Sequence, residues 1–193
     1  MNISFYTLGC KVNQYETQCM IEQFKKRGFT VVETNAPADV FVINSCTVTA
    51  ESDRKSRQML RRFRKLNPNA VMVLTGCMPQ AFPKESGLLL EADIVAGNTD
   101  PKHLPNLVEQ FMRDGERIVF VGEHTRDEKF NTPAISEFSE HTRAFMKIQD
   151  GCDRYCTYCI IPTARGNIRS RSLEDIRVEA ETLAKAGFPD VGL

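Results

Sequence analysis

Val40-Phe-Val-Ile-Asn-Ser-Cys46 and Val71-Met-Val-Leu-Thr-Gly-Cys77 read alike: four apolar residues, two small or polar ones, then a cysteine. An apolar run of four without alternation suits a strand buried on both faces, as in a parallel sheet. Residues 3–8, followed by Gly9-Cys10, form another short β-prone run ahead of a cysteine, and residues 94–96 and, more weakly, 30–32 add further β-prone runs. Helical patterns fill the intervals at residues 14–27, 50–66, 80–90 and 102–113, with Gly28 and Pro68 stopping the first two. Strands alternating with helices of this length predict βαβ units. The expected fold is therefore α/β, a doubly wound parallel sheet of order 2-1-3-4-5 over residues 1 to about 115, with residues 118–121 as a further edge strand. The N-terminal domain is placed at residues 1–121.

Residues 122–142 change character. They hold Gly, Pro, Ser, Thr and many charges with no apolar period, and predict an interdomain linker. Ala144-Phe-Met-Lys-Ile-Gln149 resembles another strand, and a cysteine-bearing loop follows it. Ser172-Leu-Glu-Asp175 opens a helix to about residue 186, closed by Gly187. Val191-Gly-Leu193 begins a strand, so residues 143–193 are expected to be the start of a second, larger unit. A lone parallel strand and its helix leave an apolar side uncovered. It is expected to fold back on the first domain, pair with a neighbouring molecule, or stay mobile.

The 193 residues carry 25 basic and 25 acidic side chains, so no global charge argues for nucleic acid. The local distribution is uneven: Arg54, Lys55, Arg57, Arg61, Arg62, Arg64 and Lys65 fall on one predicted helix. No apolar run of membrane-spanning length and no signal-peptide pattern is present. Seven cysteines in a chain without an export signal favour metal binding in a reducing compartment over disulfides, and the expected location is the cytoplasm.

Two cysteine sets carry the chemistry. Cys152-Asp-Arg-Tyr-Cys156-Thr-Tyr-Cys159 packs three thiols into eight residues. Three thiolates can hold a [4Fe–4S] cluster, which ordinarily takes four cysteines, and leave one iron open. A zinc knuckle would want a fourth Cys or His close by, and none of His103, His124 and His141 has that spacing. Cys10, Cys46 and Cys77 are remote in sequence but each follows a predicted strand. Loops after parallel strands emerge along one edge, where such folds bind ligands. Three cysteines there can converge on a second cluster, with small residues (Gly9, Ser45, Gly76) allowing close approach; the alternative is three buried structural thiols. Cys19, inside the first helix beside Met20 and Phe24, reads as a core residue.

Both sets with their flanks, Thr7-Leu-Gly-Cys10-Lys-Val-Asn13-Gln-Tyr-Glu16, Asn44-Ser-Cys46-Thr-Val, Gly76-Cys77 and Gly151 to Pro162 followed by Ala164-Arg-Gly166, resemble the radical S-adenosylmethionine (SAM) methylthiotransferase family. The Gly-Cys-Lys-Val-Asn opening is similar to the branch acting on N6-threonylcarbamoyladenosine beside the tRNA anticodon. Other branches act on isopentenyladenosine in tRNA or on a ribosomal protein. The resemblance implies two [4Fe–4S] clusters and SAM. Cys152, Cys156 and Cys159 would bind the cluster that reduces SAM to a 5′-deoxyadenosyl radical, with Tyr158 along the SAM adenine. Cys10, Cys46 and Cys77 would hold an auxiliary cluster carrying the sulfur to be inserted, and a second SAM would supply the methyl group. Partners would be tRNA and a one-electron reductant protein. The family's longer barrel and C-terminal RNA-binding module have no counterpart in these residues, so activity of this stretch alone is not expected.

Several residues admit two roles. The basic helix 54–65 either meets tRNA phosphates or is a solvated face. Arg165, Arg169 and Arg171 either bind the SAM carboxylate or phosphate, or pair with the acidic helix 174–181; Arg165 is assigned here to the cofactor. Asn13, Asn44 and Thr47 either donate to cluster sulfides or serve as turn residues. Rival classes are an electron-transfer protein, which would complete four cysteines per cluster, and a zinc-dependent RNA-binding module.

Overall fold

A computed structural model describes residues 1–99, 101–130, 135 and 144–193. Six strands form one parallel sheet: β1 (Asn2–Thr7), β2 (Thr30–Val32), β3 (Val40–Ser45), β4 (Val71–Gly76), β5 (Ile94–Ala96) and β6 (Ile118–Phe120). Their order is β2-β1-β3-β4-β5-β6, which confirms the expected order and adds the edge strand. β3 and β4 are buried along their whole length, as their continuous apolar runs require.

Alternate residues of these strands feed two cores. Val40, Val42, Val71 and Val73 pack with Met20 and Phe24 of α1 (Lys11–Lys26) and Leu107 and Val108 of α5 (Leu104–Asp114). Phe41, Ile43, Met72 and Leu74 pack on the other face with Leu60 and Phe63 of α2 (Ala50–Leu66). Each such fully buried side chain contributes about 1.5–3 kcal/mol of transfer free energy. Two details differ from expectation. α1 begins at Lys11, with Cys10 as its N-cap residue. The helix expected at 80–90 is replaced by two short ones, α3 (Cys77–Ala81) and α4 (Pro83–Gly87), because Pro83 lacks the N–H that would continue α3 and sits at the first position of α4.

Beyond residue 143 the chain forms β7 (Ala144–Phe145), β8 (Gln149–Asp150), α6 (Ile161–Arg165), β9 (Arg169–Ser170), α7 (Leu173–Lys185) and β10 (Val191–Gly192). The run read as one strand over 144–149 is divided: β7 pairs in parallel with β10, and β8 pairs antiparallel with β9. Ser172 caps α7, its hydroxyl accepting from the Asp175 N–H at 3.1 Å. Of the three fates open to this segment, folding back on the first domain is the one observed. Ala144, Met146 and Leu183 bury one another. The Tyr15 hydroxyl donates to Glu179 at 3.0 Å, and Arg171 pairs with Glu179. Most of the expected linker 122–142 lies outside the described residues, but Ile135 is buried between Tyr15 and Cys19. Cys19 is thus the core residue that its helical position predicts. No helix among the described residues is long and apolar enough to cross a membrane.

Candidate metal centre

Strand register aligns the first cysteine set. Thr7 of β1 lies opposite Asn44 of β3, and Asn44 opposite Thr75 of β4, so the three strands end level. Cys10, Cys46 and Cys77 follow two or three residues later, and so leave the same carboxyl edge at the point where the strand order reverses. Cys46 and Cys77 are buried; Cys10 is exposed.

Asn13 is the hub of this edge. Its Nδ2 donates to the Leu8 carbonyl at 2.8 Å and to the Ser45 carbonyl at 2.9 Å, which fixes the amide's orientation. Its Oδ1 is thereby turned to the thiols, accepting from Cys10 Sγ at 3.7 Å and from Cys77 Sγ at 3.8 Å. Cys46 closes the group from the side of Gly9. A Cβ at position 9 would stand 2.8 Å from Cys46 Sγ, so only glycine permits that approach. Gly76 has φ +97 and ψ −153, a region almost confined to glycine, and a Cβ there would lie 2.4 Å from Asn44 Oδ1. Asn44 Nδ2 donates to the Asn13 carbonyl and to Thr17 Oγ1, at 2.9 and 3.0 Å. The amides of Asn13 and Asn44 therefore tie the cysteine loops together and are not free donors. Thr47 differs: its buried hydroxyl has no hydrogen-bond partner among the described residues.

Electrostatics at the edge come from the C-terminal segment. Burial pushes the Cys77 thiol up to about 12, and Arg165 opposes that rise. Arg165 is 4% exposed, and its guanidinium donates to Asn13 Oδ1 at 2.7 Å, to both Glu16 oxygens at 2.8 and 3.0 Å, and to Asp150 at 3.1 Å. Lys147 Nζ joins Glu16 at 2.7 Å and Asp150 at 2.6 Å. Burial raises the Glu16 pKa, but Arg165 and Lys147 outweigh it and hold the carboxyl below the usual range. Arg165 was expected beside SAM; here it faces the other cysteine set. Arg169 pairs with Glu128 and Asp150, both at 3.3 Å, and Arg171 with Glu179, so of the three arginines one meets the acidic helix. Sequence reading gave no role to Glu16, Lys147 or Asp150. The signal available was Lys147, a single charge within an otherwise apolar run.

The second cysteine set is built differently. Cys156 is exposed, Cys152 and Cys159 are half-buried, and Tyr158 is 91% exposed. The Cys152 N–H donates to the Gly166 carbonyl at 3.1 Å and the Cys159 N–H to the Cys156 carbonyl at 2.9 Å. An open hollow of about 440 Å³ is lined by Tyr155, Cys156, Thr157, Cys159, Pro162 and Thr163. Neither set, among the described residues, brings three Cys, His, Asp or Glu groups together as a single ion requires. A zinc ion needs every ligand within about 2.3 Å of one point, whereas cluster cysteines each bind a different iron and stand further apart. The close approach that Gly9 gives Cys46, the thiol chemistry and the orphaned Thr47 hydroxyl fit such a group at the first set. On the basic helix α2, Arg54 and Lys55 pair with Glu51, Arg61 with Glu91 and Arg64 with Asp93, while Arg62 and Lys65 are exposed.

Comparison with known proteins adds the following. Residues 2–97 match the model described as "Uncharacterized protein family UPF0004". The chain is 41% identical over 193 residues to "Threonylcarbamoyladenosine tRNA methylthiotransferase MtaB" of Aquifex aeolicus, covering 100% of this chain and 47% of that protein. The protein of the same name from Bacillus subtilis is 39% identical over 191 residues, covering 99% and 42%. "tRNA-2-methylthio-N(6)-dimethylallyladenosine synthase" of Sulfurihydrogenibium sp. is 35% identical over 201 residues, covering 99% and 45%. The chain thus spans about half the length of the curated relatives it matches. With its sheet, its cysteine-bearing edge and these likenesses together, the chain belongs to the methylthiotransferase family, carrying that family's UPF0004 domain over residues 2–97.

Proposed function

We propose that the chain supplies both cysteine sites of a cytoplasmic methylthiotransferase acting on threonylcarbamoyladenosine in tRNA. What supports this most is the convergence of Cys10 and Cys77 on Asn13 Oδ1, with Cys46 against Gly9. The substrate reading draws on relatives: the Aquifex aeolicus and Bacillus subtilis proteins named for threonylcarbamoyladenosine are 41% and 39% identical, against 35% for the Sulfurihydrogenibium protein named for dimethylallyladenosine. In this reading residues 1–121 are the auxiliary-cluster domain, 122–142 a connecting segment, and 143–193 the start of the SAM-binding unit.

Cys10, Cys46 and Cys77 would ligate one [4Fe–4S] cluster and Cys152, Cys156 and Cys159 another, each leaving one iron free of protein. When bound, these clusters and SAM supply the reducing electron, the radical chemistry and the sulfur. The chain's own contribution is positional. Gly9 leaves room for the Cys46 sulfur, Gly76 lets β4 turn into the Cys77 loop against Asn44, Thr47 offers a donor beside Cys46, and Tyr158 presents an exposed ring to stack on an adenine. The basic helix α2 would meet tRNA phosphates, and a one-electron reductant protein would serve the exposed cysteine loop.

Anaerobic reconstitution with iron and sulfide tests the sites. Cys46→Ala should remove about four irons per chain, since losing one of three ligands abolishes a cluster, and Cys19→Ala should remove none. Equal losses, or uptake of zinc alone, would overturn the reading. Nucleoside analysis of tRNA from cells lacking the gene tests the substrate. Loss of the methylthio form of threonylcarbamoyladenosine is expected; its persistence with loss of the isopentenyl form would refute the choice.

A further inference from the structure

Arg165 stands six residues after Cys159, yet its guanidinium serves the other cysteine set. It reaches Asn13 Oδ1, the oxygen shared by the Cys10 and Cys77 thiols, and clamps both oxygens of Glu16, one turn further along α1. A planar fork of donors can serve an amide and a carboxylate together; a lysine ammonium cannot hold that geometry. Asn13 in turn holds the carbonyls of Leu8 and Ser45, which precede Cys10 and Cys46, so a shift of Asn13 moves both loops. The segment carrying Arg165 is pinned on both sides. Asn98 Nδ2, after β5, donates to the Ala164 carbonyl at 2.9 Å, and Arg169 Nη1 donates to the Arg165 carbonyl at 2.9 Å. The charged groups around the thiols are Arg165 and Glu16, with Lys147 and Asp150 behind them neutralising one another. Three thiolates outweigh the charge of an oxidised cluster core, so the loaded site is anionic and a buried cation beside it is favourable.

We propose that Arg165 is a positioning residue of the Cys10, Cys46 and Cys77 site, not of the loop it follows: it locks Asn13 between the thiols and provides the positive charge beside them, so the first cysteine set takes its working arrangement only when the segment after Cys159 is docked. This deepens, and rests on, the reading of that set as a cluster site. It makes the two sites interdependent through one side chain.

Two readouts test it on the full-length protein. In the metal-free chain, Arg165→Gln should raise iodoacetamide labelling of Cys46 and Cys77 about tenfold, the equivalent of one lost charged hydrogen bond, with Cys19 unchanged. Glu16→Gln combined with Arg165→Gln, which leaves no uncompensated carboxylate, should behave the same way. An equal rise at Cys19 would mean that Arg165 holds the whole fold, and would overturn the proposal. For the loaded protein, one background replaces Cys152, Cys156 and Cys159 by Ala, and its reciprocal replaces Cys10, Cys46 and Cys77. In the first, Arg165→Gln should lower iron content or move the cluster potential to more negative values, and Arg165→Lys should restore the potential but not the labelling protection. In the reciprocal background, iron content and the SAM-perturbed EPR spectrum should be unchanged. An effect confined to the reciprocal background, or none in either, would overturn the proposal. If the first background takes up no iron even with Arg165 intact, the cluster reading itself fails, while the labelling still decides whether Arg165 positions these thiols.

Discussion

Cys46 and Cys77 lie beneath the carboxyl edge of a six-stranded sheet, whereas Cys156 and the ring of Tyr158 stand in solvent on a loop. On the edge, side-chain amides hold the Leu8 and Asn13 carbonyls on either side of Cys10 and the Ser45 carbonyl before Cys46, and the strands behind them are buried on both faces. On the loop, backbone hydrogen bonds hold the two ends, and the residues between face outward into an open hollow. One site is organised before anything binds. The other is an open surface loop with its thiols at or near solvent. For an enzyme of the kind proposed, that division is useful: the edge keeps a fixed distance to its group, and the loop admits an exchangeable cofactor.

The widest difference should appear in hydrogen exchange. Amides of Val71–Gly76 should exchange slower than those of residues 155–158 by a factor of about 10³–10⁴ or more, since the strand opens only with the whole sheet and the loop opens locally. Similar rates would erase the comparison. A smaller but sharp contrast is expected from substitution. Gly76→Ala forces a side chain into a glycine-only conformation, and should destabilise the metal-free chain by about 2–3 kcal/mol, a fall in Tm of about 4–12 °C. Tyr158→Ala should cost less than about 0.5 kcal/mol, because the ring touches solvent. A thermal melt of both variants checks this, and a larger loss for Tyr158→Ala would reverse the assignment of order.

The smallest effect concerns acid. Glu16 is held below its usual range despite burial, because Arg165 and Lys147 favour its charged form. A depressed folded value means that its contribution is present above the unfolded value of about 4.3 and is lost as pH falls through the folded one. Docking of the loop segment should therefore loosen below about pH 4 while the apolar sheet persists. Pepsin cleavage within residues 145–160, normalised to an unstructured peptide, should rise several-fold there, and cleavage within β3 and β4 should not. Parallel rises would show that the carboxylate supports the sheet as well.

What could be read from the sequence follows from how local each cause is. β3 and β4 were legible because four consecutive apolar residues ending at a cysteine have few other solutions, and the shared edge followed from parallel topology. Pro83, which divides the helix read over residues 80–90, is a local signal present in the sequence. The destination of Arg165 had no local signature: its partners Glu16 and Asn13 lie 149 and 152 residues away. Ile135 was equally hidden: it lies in a charged stretch with no apolar period, yet packs against Tyr15 and Cys19 of a distant helix.

That separation has a consequence for biosynthesis. Translation at roughly 5–20 residues per second means that Arg165 emerges on the order of 10–30 s after Glu16, long after a sheet of local βαβ units can form. Cys77, the last of the three cysteines, precedes Arg165 by 88 residues, so for about 4–18 s the nascent chain offers all three without their arginine, with the edge uncovered. On the proposed cluster reading, iron delivery to the N-terminal site would have a co-translational window that closes as α6 docks, and a chain loaded afterwards would have to reopen that contact first.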